Sequence, residues 1–411
     1  MKLNRKIFFS WDNLITTAIV FLSMLLFPLI FQTHYLDAIR DSLADLRISD
    51  ITYNELRDEN EFLPDENIIL INIDTLDNCK LGFIISRLKE SNAKVIGICN
   101  ILNKSNDLDC DEFLASEVSG INNIVFANKY QAQNDKLLFS ERKLKSDNYF
   151  SQNSTQGYLN IFIDKDIRYS TAREFPPFIR NSNKIDTAFA VQIVNKFDPK
   201  LAEQLSNRGN EFEEIFYRGN ARNFFRVDAN EILNPEENLG FVKGKIVLLG
   251  KVGTGKPYLI KDGYFTPLNE NSVGRAFPDM YEMVLQANII SMIIEGNYYY
   301  TMSFEVSIVL AIIFCYLNIV LFTIITQKSR KWYEILSLLI FMVESIFILY
   351  ITVMVYHYFR INLNMTLTIF AIAISLFVFE GYKESIKPLT IRTYKRIIRL
   401  FEKKEIKESE I

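Results

Sequence analysis

The chain has 411 residues, and 46 Lys and Arg against 49 Asp and Glu leave a net charge of −3. That balance excludes a nucleic-acid binder that works through a basic surface. The two histidines, His34 and His357, are far apart, and the four cysteines form no C-x-x-C pair, which excludes a zinc site of the usual ligand spacing.

Apolar residues are gathered into four runs, at 14–32, 303–326, 335–358 and 363–379. Each is close to the ~20 residues that cross a bilayer as a helix. The first is followed by Phe31-Gln-Thr-His-Tyr35, with no small-residue cleavage motif, so it is expected to stay in the protein. Lys2, Arg5 and Lys6 lie in the 1–13 segment, and Lys328, Arg330 and Lys331 lie between the second and third runs. Lys383, Lys387, Arg392, Lys395, Arg396 and Arg399 follow the fourth. The positive-inside rule then puts both termini in the cytoplasm and residues 33–300 on the other side. The expectation is a multi-pass protein of a bacterial inner membrane. Its 380–411 tail places Ile391, Tyr394, Ile398 and Phe401 at helical spacing among basic residues, as a basic amphipathic helix on a membrane surface does.

Within 33–300, strand and helix signals alternate. Residues 35–46 put Leu36, Ile39, Leu43 and Leu46 at helical spacing. The β-branched run at 68–73 predicts a strand ending at Asp74. Residues 81–91 fit a helix and 93–98 a second strand, together a βαβ unit with parallel strands. A strand is predicted at 121–127, a polar loop at 131–154, a strand at 158–163 and a turn at 164–168. Ala188, Phe189, Val191, Ile193 and Val194 predict a helix at 186–196, and 215–217 reads as a short strand. A buried strand at 245–250, a glycine loop at 252–256 and a helix at 278–295 complete the domain, with Gly296 before the membrane. The alternation predicts an α/β exported domain with a mixed, mainly parallel sheet, joined to four transmembrane α-helices.

Gly250-Lys-Val-Gly-Thr-Gly255-Lys256 matches the G-x-x-x-x-G-K phosphate loop, but Pro257 stands where Ser or Thr would bind magnesium. Gly263 and Pro267 also break the helix that should follow. The stretch therefore reads as a glycine turn, with no nucleotide and no cofactor. Cys79, Cys99 and Cys110 fall in the exported segment and Cys315 in a span. Three exported cysteines permit at most one internal disulfide, and spacing leaves the pair open.

Asp74 and Asp262 each follow a strand, at the end of an α/β sheet where ligands bind. They are candidates for a cation or polar ligand, with turn or helix capping as the alternative. Glu344 is a carboxyl in mid-span, which is costly and faces a bundle interior. Asn318, in the preceding span, is its available partner. These two and Gly296 are the expected elements of coupling between domain and membrane.

At these residues the exported segment resembles the second-type CHASE sensor domain, the cyclase- and histidine-kinase-associated sensory extracellular domain. The resemblance runs over 37–296: Asp41 and Arg47, the strand at 68–74, the strand at 93–98, the turn at 164–168, and Tyr217-Arg-Gly219. It continues through Lys243-Gly-Lys-Ile-Val-Leu-Leu-Gly250, Asp262, Thr266-Pro267 and Ala287-Asn288. The layout of one span before the domain and three after is also similar. The resemblance adds Thr266 and Gln286 to the ligand candidates. The family usually carries a glycine and then a histidine ahead of Ala-Asn, where this chain has Glu282 and Gln286. Family members commonly continue into a cyclase, kinase or other output domain, whereas only 380–411 follow the last span here. No base–nucleophile constellation is legible either. The expectation is a non-enzymatic sensor that passes a ligand- or envelope-driven change to a cytoplasmic or membrane protein partner, or to a second copy of itself. The alternative expectation is a structural scaffold subunit of an envelope complex.

Overall fold

The computed structural model describes residues 8–30, 48–57, 63–73, 76–132, 139–152, 154–161, 171–181, 184–253, 263–269 and 277–393, with 395 and 398. The chain separates into two compact units, Met1–Arg40 with Tyr300–Ile411, and Asp41–Tyr299. The first opens with helix α1 (Trp11–Ile30).

The second unit is built on a seven-stranded sheet. Its elements are β1 (Asp65–Asn72), α2 (Asn78–Glu90), β2 (Val95–Ile98), α3 (Leu108–Val118), β3 (Ile124–Ala132), β4 (Phe139–Lys145) and β5 (Thr155–Tyr158). Then come α4 (Phe189–Phe197), α5 (Pro199–Arg208), β6 (Phe224–Val227), α6 (Ala229–Leu233) and β7 (Ile246–Gly250). The short pair β8 (Gly263–Tyr264) and β9 (Met280–Tyr281) leads into α7 (Glu282–Glu295). Strand order is β6-β1-β7-β2-β3-β4, with β5 also on β3. Every pair in this sheet is parallel except β3–β4.

The apolar runs explain the centre of this sheet. Strands buried on both faces read as continuous Val, Ile and Leu, and all of β7 is buried. On one face Ile69, Ile71, Ile96, Val247 and Leu249 pack against Ile84, Ile85 and Leu88 of α2, Leu114 of α3 and Ile232 of α6. On the other face α7 lies against β1 and β7, and α4 against β2, β3 and β5. The result is a mixed, mainly parallel α/β sandwich of three layers.

Several boundaries differ from the sequence reading, for local reasons. Helix α2 starts before residue 81 because Asp77 caps it, accepting from the Lys80 N–H. Helix α3 is launched the same way by Asp107, and the Cys79–Cys110 disulfide ties α2 to α3. Cys99 and Cys315 are free and buried. The polar loop expected at 131–154 holds an edge hairpin, in which β3 turns back as β4. Exposed edge strands carry polar residues, so an apolar count misses them. The strand expected at 158–163 ends at Tyr158. At 215–217 no strand joins the main sheet; the Ile215 N–H instead donates to the Arg173 carbonyl at 2.7 Å. The outer strand beside β1 is β6. The helix expected at 35–46 lies outside the described residues.

The first unit continues with β10 (Tyr300–Thr301), α8 (Phe304–Lys328), α9 (Tyr333–Phe359), β11 (Ile361–Asn362) and α10 (Thr366–Gly381). A π turn, Tyr382–Ile386, carries α10 onward. Among the described residues three helices, Phe304–Lys328, Arg330–Phe359 and Thr366–Thr393, are long and apolar enough to cross a membrane. Val20 of α1, Ala311, Cys315, Ile319 and Phe322 of α8, and Ala371 and Phe379 of α10 form a common core.

Candidate functional site

Helix α7 is buried from Met283 to Ile293. A helix apolar on all sides belongs in an interior, and its polar residues there must find partners. The Gln286 amide donates to the Leu159 carbonyl at 3.2 Å. Asn288, 0% exposed, grips the backbone of Gly219 from both sides. Its Oδ1 accepts the Gly219 N–H at 3.1 Å, and its Nδ2 donates to the Gly219 carbonyl at 3.0 Å and to the Val284 carbonyl at 2.9 Å. A side chain at Gly219 would put Cβ 2.1 Å from Asn223 Oδ1, so the Asn223 side chain would have to move to admit one.

The residues on either side of Gly219 extend the clamp. The Tyr217 hydroxyl donates to the Ala172 carbonyl at 2.6 Å, and the Tyr217 N–H donates to the Tyr53 hydroxyl at 3.0 Å. Arg218 Nε donates to Ser291 Oγ at 3.1 Å, and its Nη2 pairs with Glu295. The Ser291 hydroxyl donates in turn to the buried Asp65 carboxylate at 2.5 Å. Two turns of α7 are thus bolted to β1 and to the 217–219 segment.

The other end of α7 sits at the carboxyl edge of the parallel strands, where α/β sheets take ligands. Glu282, its first residue, pairs with Lys129 of β3 at 2.7 Å and accepts from the Tyr264 hydroxyl at 3.0 Å. Burial pushes the Cys99 thiol and the Tyr264 phenol well up, and the Glu282 charge adds to both. The Lys129 and Glu282 side chains are 38% and 20% exposed. An exposed pair of this kind contributes less than about 1 kcal/mol. Glu282→Gln, which keeps an acceptor for Tyr264, is therefore expected to leave urea unfolding within about 1 kcal/mol of wild type.

The strap before α7 is organised by Asp279. Its carboxylate accepts the Thr266 N–H at 2.8 Å, the Thr266 hydroxyl, and the Asn269 amide at 3.2 Å. The Asp279 N–H donates to the Tyr264 carbonyl at 3.0 Å. Desolvation outweighs these donors and lifts the Asp279 carboxyl from 3.8 to about 6.

Of the residues singled out in the sequence, Thr266 is buried on Asp279 and Gln286 is buried on the sheet side of α7. Asp74, Asp262 and Lys256 lie outside the described residues. Gly296 caps α7 with a left-handed φ of 68°. Asn318 donates to Glu344 Oε2 at 2.6 Å between α8 and α9. Asp279 was not legible as a site residue: one carboxyl after Pro278 reads as a helix cap. Its sequence signal is its place three residues before a helix whose apolar pattern runs all round.

Comparison with family models matches residues 17–321 to the CHASE2 domain. No curated protein and no solved structure matches the chain.

Proposed function

We propose, because the chain belongs to the CHASE2 domain family of sensory extracellular domains, that it is a membrane-anchored sensor. In this reading the Asp41–Tyr299 unit receives a ligand or envelope condition outside the cytoplasm. The basic residues Lys328, Arg330 and Lys331 mark the cytoplasmic side. Input acts at the carboxyl edge, on the Thr266–Asp279 cradle, Glu282 and Gln286, with Asp74 and Asp262 as further contacts. Output passes along α7 to the membrane helices, where Asn318 and Glu344 join two of them, and on to a membrane or cytoplasmic protein partner.

The observation that carries this reading is the unbroken anchoring of the chain after α7. The Asn297 N–H donates to the Met292 carbonyl at 3.0 Å. The Arg208 guanidinium stacks 4.3 Å from the Tyr298 ring centroid and donates to the Tyr299 carbonyl at 3.0 Å. The Tyr299 hydroxyl is bonded to Tyr53 at 3.0 Å. From the next residue on, the partners belong to the membrane unit. The Tyr300 N–H donates to the Arg360 carbonyl at 2.9 Å, and the Met302 N–H to the Asn362 carbonyl at 3.0 Å. One peptide bond separates residues held by one unit from residues held by the other. A displacement of α7 has little slack in which to dissipate before it reaches the link between α9 and α10.

The test inserts three glycines between Tyr299 and Tyr300 of the full chain in detergent. Acidification from pH 7 to pH 5 serves as the perturbation, because it titrates Asp279. In the wild type, hydrogen exchange is expected to change both in α7 and at the β10–β11 ladder. In the insertion variant, the α7 response is expected to remain and the β10–β11 response to vanish. An insertion variant that responds at both places like wild type would show that α7 is a tether, and a scaffold role would then fit better.

A further inference from the structure

The end of the membrane unit that carries the α8–α9 basic turn holds a cavity of about 330 Å³. That volume lies in the roughly 300–1,000 Å³ range of small-ligand sites. Asp12 and Asn13 of α1, Thr323 and Gln327 of α8, and Lys383 and Lys387 beyond α10 contribute its polar wall.

Part of this wall is already satisfied from within. The Asp12 carboxylate accepts the Tyr382 hydroxyl at 3.0 Å and pairs with the Lys387 ammonium. The Thr323 hydroxyl donates to Asn13 Oδ1 at 3.0 Å, and Asn13 is 2% exposed. The Asp12–Lys387 pair leaves this floor neutral overall.

Lys383 and Gln327 differ from the rest. Among the described residues, Lys383 faces no carboxylate and its ammonium makes no hydrogen bond; it lies 5.3 Å from the Phe379 ring centroid. The Gln327 amide also has no hydrogen-bond partner among the described residues. The cavity therefore combines an uncompensated cation, a free amide and a pre-neutralised floor. Arg330 pairs with Glu384 at 3.5 Å on the exposed surface at the same end of α10, so that pair is neutral and Lys383 supplies the charge. The group that suits this set is an anion with several acceptor oxygens. A lysine serves phosphate as a point charge, and basic pockets between membrane helices take phosphate-bearing head groups.

We propose that this cavity is a phosphate-binding site in which Lys383 supplies the charge and Gln327 a hydrogen bond. The phosphate belongs to the head group of an anionic phospholipid or to a free phosphate ion, and the two sources are separable. Thermal unfolding of the full chain in neutral detergent would be followed with phosphatidylglycerol, with diacylglycerol, which has the chains without phosphate, and with inorganic phosphate against sodium chloride at equal ionic strength. Stabilisation by phosphatidylglycerol alone identifies the lipid, and stabilisation by inorganic phosphate as well shows that the bare ion suffices. Lys383→Gln is expected to weaken the apparent affinity about five-fold, the worth of one basic contact near a membrane surface. Gln327→Glu, which sets a carboxylate at the rim, should weaken it at least as much. Both side chains are exposed, so the variants should unfold like wild type without ligand. If neither phosphate compound raises the wild-type midpoint above its control, or if both variants respond like wild type, the site does not exist.

Discussion

Replacing Asn288 with Ala is expected to cost the Asp41–Tyr299 unit about 3 kcal/mol of stability. Two of its side-chain bonds end on the N–H and C=O of Gly219, which have no water to turn to at this depth. An orphaned buried polar group costs about 1–3 kcal/mol, and the cavity left by the amide adds a smaller amount. Hydrogen exchange of the β7 amides is the suitable measurement, because both tryptophans, Trp11 and Trp332, lie in the membrane unit and do not report on this one. The same variant should loosen α7 more than the sheet, because β1, β7 and β2 keep their own ladder. A loss below about 1 kcal/mol would mean that the apolar face of α7, not its polar clamp, holds the helix down.

The parts of this fold that could be read in the sequence are those where a single physical effect dominates. Strands β7 and β2, and the Ile68–Ile71 centre of β1, are buried on both faces and show as plain apolar runs. The spans α8 and α9 announce themselves by length and hydropathy. The start of α7 was misplaced because Pro278 imitates the proline favoured in a first helical turn, whereas Met280 and Tyr281 pair with β8 before the helix begins. Hairpin β3–β4 was missed because an edge needs only one apolar face. The clamp was half visible. Tyr217-Arg-Gly219 and Ala287-Asn288 both stand out in the sequence, but 69 residues separate Gly219 from Asn288, and nothing local says that they meet. In the sequence Glu282 stands out only as a departure from the family pattern. Its partners Lys129 and Tyr264 come from two other elements, and only the folded sheet edge brings them together.

Acid should stabilise the Asp41–Tyr299 unit over a window where many proteins begin to weaken, and Asp279 is the reason. Its carboxyl is lifted from 3.8 in the unfolded chain to about 6 in the folded one. A folded state that holds its proton more tightly gains stability as pH falls. The contribution is fully present below about 3.8 and is lost as pH rises through about 6. A shift of about two units corresponds to about 3 kcal/mol between the ends of that window. The carboxylates of Asp77, Asp111 and Asp186 work in the opposite direction. Each is held below its ordinary value by donors, Lys80, Asn78 with Ser105, and Lys143 with Tyr130 respectively, against the opposing pull of burial. Their contributions are present above the unfolded value of 3.8 and disappear only as pH drops below it, so the two effects occupy different windows. Urea unfolding followed by β7 hydrogen exchange at pH 4.5, 5.5, 6.5 and 7.5 should therefore show stability falling as pH rises. Asp279→Asn keeps an acceptor for the Thr266 N–H and cannot ionise. It is expected to flatten the curve and to be more stable than wild type at pH 7.5. A variant whose slope equals that of wild type would show that another group carries the titration. It would also remove Asp279 as the proposed point of input to α7.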